Sequence, residues 1–174
     1  DVEAVDYDAF CSLITAGTVF AGEPSRASTF HAFDLAKAAG LPIIFDIDYR
    51  PYSWPSPQVA SDVLTRAGMA SDMIVGNDEE FGFMAGYYDR GLDQARRLAD
   101  QGKIVIYKKG RNGAITFVEG KEIHTGIYPV TAIKPNGAGD SFLAGLLASI
   151  AHGCTLEQAI LRGSACASIV VSHP

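Results

Sequence analysis

The sequence has few of the residues that build disulfide frameworks or thiolate metal sites. Its 174 residues include only three cysteines, Cys11, Cys154 and Cys166, which lie far apart and form no C-x-x-C pair. We interpret all three as buried thiols. The four histidines are scattered without the spacing of metal ligands, so the sequence predicts no zinc site.

Positive charge and long apolar runs are also scarce. Lysine and arginine total 14 against 20 aspartate and glutamate residues, and the net charge of -6 argues against a nucleic-acid partner, which needs basic residues to neutralise phosphates. No apolar run approaches the roughly 18 residues that span a bilayer, so we expect no membrane partner. The opening residues DVEAVDYDAF lack the pattern of a signal peptide, and we expect a cytoplasmic protein.

Short apolar runs alternate with segments of helical periodicity along the first 108 residues. Repeated strand, helix, strand order predicts parallel strands joined by crossover helices. No G-x-G-x-x-G follows the first strand, which argues against a nicotinamide-binding dehydrogenase. The predicted strands are 11–17, 42–47, 72–76 and 103–108, and the predicted helices are 24–39, 58–70, 78–86 and 92–101.

A hairpin and two helices complete the pattern. Residues 113–118 and 122–128 predict two antiparallel strands joined through a turn at Glu119-Gly120-Lys121. Apolar residues then recur at helical spacing after Gly137 and again after Leu156. The sequence therefore predicts a single α/β domain over residues 1–174, with a mostly parallel sheet and a β-hairpin insertion.

The strongest local motif is the glycine-rich turn Asn136-Gly137-Ala138-Gly139-Asp140, which opens directly into an apolar helix. Unpaired amides and the helix dipole make such a turn attractive to phosphate. Asp140 would repel that anion, so it needs another task, and accepting a proton from a substrate hydroxyl is one. A plain turn, with an aspartate that only caps the helix or favours its dipole, explains the same residues equally well.

Two further polar groups follow predicted strands. Asn77-Asp78-Glu79-Glu80 comes after DMIVG, where the Glu80 carboxylate could hold a hydrated magnesium ion. Residues 108–113, KKGRNG, follow the next strand and could bind the phosphates of a nucleotide. Each group has an ordinary structural alternative, namely an acid-rich helix start for the first and a charged hairpin entry for the second.

In this order, Asn77-x-x-Glu80, Lys-x-Gly-x-x-Gly and Gly-Ala-Gly-Asp resemble the PfkB (ribokinase-like) carbohydrate kinases over essentially the whole chain. The resemblance implies a three-layer αβα, Rossmann-like fold, ATP as phosphoryl donor, Mg²⁺, and a small sugar or sugar acid as acceptor. The implied roles are Asp140 as base, Gly137, Ala138 and Gly139 as anion hole, Asn77 and Glu80 at magnesium, Lys108, Gly110, Gly113 and Asn136 along the nucleotide, and Ala165 to Ser168 facing adenine.

Residues 46–54, DIDYRPYSW, bear on the substrate. A D-x-N-x-R motif followed by tryptophan is typical of family members acting on keto-deoxy sugar acids and fructose, and here Asp48 replaces the asparagine. With Lys134-Pro135, this version is similar to family members of inositol catabolism. Asp48 and Arg50 are the implied substrate residues, although the residues themselves leave open whether Arg50 binds an anion or pairs with Asp46 or Asp48.

Two departures qualify the resemblance. Lys134 stands where the family usually has an aspartate, and the family's amino-terminal half, with its sugar-binding residues and lid, is absent from these 174 residues. We therefore expect the nucleotide-binding, carboxyl-terminal portion of a sugar kinase that is a homo-oligomer when intact. The alternatives are a 2-keto-3-deoxygluconate kinase, a fructokinase, or a nucleotide-binding module without catalysis.

Overall fold

The predicted alternation of strands and helices is present in the computed structural model, which describes residues 1–134 and 136–173. Pro135, which the sequence analysis paired with Lys134, lies outside the described residues. The strands are β1 (Leu13–Ala16), β2 (Ile43–Asp46), β3 (Met73–Asn77), β4 (Ile104–Lys108), β5 (Ala114–Val118) and β6 (Lys121–Thr125). The helices are α1 (Ser25–Ala38), α2 (Pro57–Ala70), α3 (Asp78–Met84), α4 (Gly91–Ala99), α5 (Ala138–Ala151) and α6 (Leu156–Val171).

The described strands form one mixed sheet in the order β1-β2-β3-β4-β5-β6, with helices flanking it. Leu13 of β1 pairs with Ile43 of β2, and Ile44 of β2 pairs with Met73 of β3, in parallel register. All four residues of β2 are buried, as a strand covered on both faces requires. The α/β fold class expected from the sequence is confirmed.

The β5–β6 hairpin differs from its predicted boundaries. Glu119 and Gly120 both have positive φ, 51° and 72°, which is the conformation of a two-residue type I′ turn. A two-residue turn places Lys121 inside β6 rather than in the connection, and β6 ends at Thr125 instead of continuing to residue 128. The predicted three-residue turn was therefore one residue too long.

Residue contacts divide the chain into two compact units. The first comprises Asp1–Tyr107 and Phe117–Glu122. Its core includes an aromatic cluster in which the Phe20 ring lies 5.7 Å from that of Phe33 and 5.9 Å from that of Phe45. The edge-to-face angles of 78° and 90° are favoured for aromatic pairs. The prediction of three buried thiols is wrong, because Cys11 is exposed and Cys154 and Cys166 are half-buried.

The second unit comprises Lys108–Thr116 and the chain from Ile123 onward, and α5 packing on α6 forms its centre. Close approach of these helices depends on glycine. A Cβ atom on Gly163 would lie 2.6 Å from the carbonyl oxygen of Phe142, and one on Gly145 would lie 2.7 Å from Sγ of Cys166. Within residues 1–134 and 136–173, no helix is both long and apolar enough to cross a bilayer.

Candidate active site

The first turn of α5 has the backbone geometry of an anion site. Gly137 is the N-cap residue, and its φ of 81° is left-handed, a conformation that glycine adopts without a steric penalty. No side chain caps this helix within the described part of the chain. The amides of Ala138, Gly139 and Asp140 have no acceptor one turn earlier in the helix. They can therefore bind an external anion, supported by the positive end of the helix dipole.

Asp140 lies in this first turn with its side chain exposed. Among residues 1–134 and 136–173, no hydrogen bond or ion pair engages its carboxylate, because it neither caps α5 nor meets a cation within 4.0 Å. The alternative interpretation of Asp140 as a side-chain cap is therefore not what the structure shows. A carboxylate in this state can accept a proton from a bound hydroxyl group.

Lys108 adds a cation at the same turn. It is the last residue of β4, it is half-buried, and its Nζ lies 3.7 Å from the position that a Cβ atom would take on Gly139. The same Nζ lies 5.6 Å from the centroid of the Phe142 ring, a distance at which a cation is attracted to an aromatic face. The structure thus brings together Lys108 and the Gly137–Asp140 turn.

The rest of the 108–113 segment closes on itself. The amide of Lys109 donates to the carbonyl of Gly113 at 2.7 Å, and the amide of Gly113 donates to the carbonyl of Gly110 at 3.2 Å. Both glycines have positive φ, 53° at Gly110 and 77° at Gly113. These amides serve the turn that enters β5, and the nucleotide contacts expected of Gly110 and Gly113 stay predictions.

Two other expected nucleotide contacts lie in the same unit. Ser168 is buried on α6, and its hydroxyl donates to the carbonyl of Tyr128 at 2.9 Å, so this hydroxyl holds the segment before α5 against α6. Ala165 is half-buried and Asn136 is exposed. Their proximity to adenine or phosphate stays a prediction.

In the first unit, Asn77 and Glu80 form a capping box at the start of α3. Oδ1 of Asn77 accepts from the amide of Glu80 at 2.8 Å, and Oε2 of Glu80 accepts from the amide of Asn77 at 2.7 Å. The helix-start interpretation is therefore correct as a description of the local contacts. It is compatible with magnesium binding as well, since a carboxylate has lone pairs for more than one partner.

The donor chemistry at this position suits a hydrated magnesium ion. Carboxylate and amide oxygens are ligands that Mg²⁺ accepts, and the ion usually keeps several waters. Among the described residues, no group of three or more His, Cys, Asp or Glu side chains is arranged to enclose a metal ion. One carboxylate with bridging waters is the arrangement that Glu80 could provide.

Asp48 and Arg50 follow β2, and the structure shows the ion pair that was one of the alternatives for Arg50. Anion binding by Arg50 stays a prediction. Nη2 of Arg50 lies 2.6 Å from Oδ1 of Asp48, so the guanidinium is paired within the loop, while its side chain remains half exposed. Oδ2 of Asp48 also accepts from the hydroxyl of Thr18 at 3.2 Å. Sequence reasoning missed Thr18, which lies 30 residues away and carries no local signal of this contact.

Asp48 is one of the few non-glycine residues with positive φ, at 33°. Aspartate tolerates this left-handed region better than most residues because its short side chain bonds locally. Trp54 is 8% exposed. Its Nε1 has no hydrogen-bond partner in the described residues. The loop after β2 is thus held by the ion pair of Asp48 with Arg50 and by the hydrogen bond from Thr18 to Asp48.

Comparison with protein families gives one match over nearly the whole chain. The model described as "pfkB family carbohydrate kinase" matches residues 5–174. A 5-dehydro-2-deoxygluconokinase from Shouchella clausii is 36% identical over 163 residues, which make up 92% of this chain and 50% of that protein. The chain therefore spans about half the length of the curated relatives that it matches.

Solved structures agree on the fold. A PfkB protein from Polaromonas sp. JS666 superposes with a TM-score of 0.86 at 25% identity, over 98% of this chain and 57% of that one. A fructokinase from Vibrio cholerae O395, solved with fructose, ADP and calcium ion, gives 0.86 at 23% identity, over 99% and 58%. The TM-scores show that these structures share the α/β fold of this chain.

Proposed function

The chain belongs to the pfkB family of carbohydrate kinases, and we propose that the protein carrying it transfers the γ-phosphoryl group of ATP to a hydroxymethyl group of a keto-deoxy sugar acid. The proposed acceptor is 5-dehydro-2-deoxygluconate, the substrate class in the names of the 36% identical relatives. The observation that carries the proposal is the uncapped first turn of α5 with the unpaired Asp140 carboxylate. A turn of this kind supplies a base for the acceptor hydroxyl and backbone amides that stabilise charge on the transferred phosphoryl group.

The proposed phosphoryl transfer takes place at the Gly137–Asp140 turn. The acceptor oxygen bonds to the γ-phosphorus as the bond from that phosphorus to the bridging oxygen breaks, and the electron pair of the broken bond leaves with ADP. The hydroxyl proton passes to the Asp140 carboxylate. The amides of the Gly137–Gly139 turn stabilise the charge on the non-bridging oxygens, since catalysis of phosphoryl transfer is mostly positioning and electrostatics.

Asn77 and Glu80 are the proposed magnesium residues. The ion, when bound, neutralises charge on the β- and γ-phosphates. The contribution of this chain is to fix the Glu80 carboxylate through the capping box with Asn77, so that it is oriented before any ion arrives. Arg50, held by Asp48, is the proposed contact for the acceptor's carboxylate, because a guanidinium binds carboxylates in a planar, two-bonded manner.

The proposal also covers alternative acceptors within the family and the cellular setting of the enzyme. A 2-keto-3-deoxygluconate kinase and a fructokinase are the alternatives within the family, and a panel of the three acceptors separates them. A cytoplasmic, homo-oligomeric enzyme of inositol catabolism is the setting that we propose for the 5-dehydro-2-deoxygluconate reaction.

A nucleotide-binding module without catalysis is the alternative of a different class. Lys134 favours it, because a cation three residues before Gly137 replaces a carboxylate that the family usually has. Calorimetry with ATP and Mg²⁺, combined with a coupled assay for ADP release, separates the two functions. ATP binding with no sugar-dependent ADP release would support the module.

The decisive variant is Asp140→Asn, which keeps the size of the side chain and removes its ability to take the proton. We expect turnover to fall by about 10²- to 10⁴-fold, the usual contribution of a positioned base, with ATP affinity nearly unchanged. Asp34→Asn, which changes an exposed carboxylate on α1, is the matched control. Turnover in the Asp140 variant equal to that of the control would remove Asp140 from this role.

A further inference from the structure

The ammonium group of Lys108 lies where a helix ordinarily disfavours a cation. Its Nζ is 3.7 Å from the Cβ position of Gly139, a residue in the first turn of α5. The N-terminal end of a helix carries a partial positive charge, which favours anions and disfavours lysine. The ammonium group of Lys108 and the positive end of the α5 dipole therefore lie close together.

Within residues 1–134 and 136–173, no carboxylate lies within 4.0 Å of the Lys108 ammonium group. The ion pairs of the described residues involve Arg26, His31, Arg50 and Arg96, and none includes Lys108 within 4.0 Å. The contact that the ammonium does make is with the buried ring of Phe142, at 5.6 Å from its centroid. That contact fixes the position of the charge without neutralising it. An anion between Lys108 and the turn would be stabilised by both positive groups.

We propose that Lys108 binds the phosphoryl group during its transfer, rather than the part of the nucleotide that remains as ADP. This inference rests on the proposed kinase function and assigns a further catalytic residue to it. Lys108 keeps all its protons and donates hydrogen bonds to the non-bridging oxygens of the γ-phosphoryl group, while Asp140 takes the proton of the acceptor hydroxyl. The bonds formed and broken are those given above.

The position of Lys108 distinguishes it from the residues that follow it. Lys109, Gly110 and Gly113 form a turn closed by backbone hydrogen bonds, whereas the side chain of Lys108 extends to Gly139, the residue before the proposed base. In the proposed step the non-bridging oxygens and the acceptor hydroxyl meet at this turn, so a cation beside the base would contact the charge that moves in the reaction. Stabilising that charge acts on kcat more than on ATP binding.

The test is Lys108→Gln in the protein that carries these 174 residues, with Lys121→Gln, at an exposed lysine of β6, as the control for loss of one lysine charge. We expect kcat to fall by about 10²- to 10³-fold, as for removal of one transition-state donor. KM for ATP should change by less than about threefold, the result expected when an interaction exists mainly in the transition state. Lys121→Gln should change neither constant appreciably.

Each other result overturns the inference. An unchanged kcat would exclude Lys108 from catalysis, and a raised KM for ATP with unchanged kcat would place it on the nucleotide instead. If the unsubstituted protein releases no ADP with any sugar, the proposed function itself fails and this inference fails with it. If Lys108→Gln does not fold, Lys108→Met, whose apolar stem keeps the packing on Phe142, replaces it with the same expected loss and the same controls.

Discussion

Asn77 and Glu80 are joined by two reciprocal hydrogen bonds of 2.8 and 2.7 Å, in each of which the backbone amide of one residue donates to the side-chain oxygen of the other. The pair closes the end of β3 and starts α3. These are also the residues proposed to organise magnesium. A structural role and a metal-binding role thus fall on the same carboxylate, and substitutions can separate them.

Glu80→Gln retains an oxygen that can accept from the Asn77 amide, but it removes the negative charge, whereas Glu80→Ala removes both. We expect Glu80→Ala to lower the free energy of unfolding by about 0.5–2 kcal/mol, the usual cost of losing a helix cap. Glu80→Gln should stay closer to the unsubstituted protein in urea denaturation. In activity assays the Glu80→Gln variant should need about 10- to 100-fold more Mg²⁺, the usual loss of metal affinity when a residue around a metal site is replaced. An unaltered Mg²⁺ dependence in Glu80→Gln would contradict the metal role.

The elements with strong periodicity or clear end signals were predictable from the sequence. β2 follows Pro42 and begins with three apolar residues, 43–45. α2 starts with the Ser56-Pro57 pair, in which Oγ of Ser56 accepts from the amide of Val59 at 3.2 Å. The start of α5 after Gly137 was likewise readable, because a glycine beside an apolar periodic run marks a turn into a helix. In these cases the signal lies within a few residues of the feature that it produces.

Features that depend on distant contacts were not predictable. The choice of Asp48 as the partner of Arg50 follows from a positive φ at Asp48 and from Thr18, a residue of another segment. The proximity of Lys108 to Gly139 also depends on two segments that lie 31 residues apart in the sequence. The hairpin boundary was missed because Glu119, not a glycine, takes a left-handed conformation there.

Asp48 combines a left-handed backbone with two side-chain contacts, and two substitutions distinguish their contributions. Asp48→Asn tolerates the same φ and can still accept from Thr18, so it loses only the ion pair with Arg50. Because the Arg50 side chain is 50% exposed, that loss should be within about 1 kcal/mol. Asp48→Ala loses both contacts and places a less tolerant residue at positive φ, which should add about 1–2 kcal/mol.

Urea denaturation of both Asp48 variants measures this difference, with Asp34→Ala on α1 as the control for removing an exposed carboxylate. The control should change the free energy of unfolding by no more than about 0.5 kcal/mol. Equal destabilisation by Asp48→Asn and Asp48→Ala would mean that the charge, and not the backbone conformation, determines the stability of this loop.

Gly113 precedes β5 at a φ of 77°, and a Cβ atom there would collide with the carbonyl oxygen of Thr125. Gly110 in the same turn also has a positive φ, 53°, but open space around its Cβ position. We expect Gly110→Ala to cost about 1–2 kcal/mol from backbone strain alone. Gly113→Ala should cost about 1–3 kcal/mol more, because the backbone of β6 must move. Thermal unfolding followed by circular dichroism compares the two variants. Similar melting temperatures would show that the backbone of β6 can move to accommodate a Cβ atom at position 113 without loss of stability.

Tyr107 on β4 gives a pH-dependent prediction. Burial raises the pKa of its phenol above the ordinary 10.0, and the negative charge of Asp78 and the nearby Tyr88 raise it further. The side chain is 8% exposed, and its ring lies 5.4 Å from that of Phe81. As the pH rises past about 10, the ordinary tyrosine value, the unfolded chain loses this proton while the folded chain retains it. The folded state then binds more protons than the unfolded state, so its stability falls with increasing pH.

Tyr107→Phe removes this proton and keeps the ring, so the variant should lose less stability than the unsubstituted protein when the pH rises from about 9 to about 11 across the ordinary tyrosine pKa. At neutral pH the two proteins should be similar, because the Tyr107 hydroxyl makes no hydrogen bond within residues 1–134 and 136–173. Tyr52→Phe, at a side chain that is 86% exposed, controls for the loss of a phenol from the surface. Urea denaturation at each pH measures the effect, and parallel alkaline losses in the Tyr107 and Tyr52 variants would show that burial of Tyr107 does not couple its proton to folding.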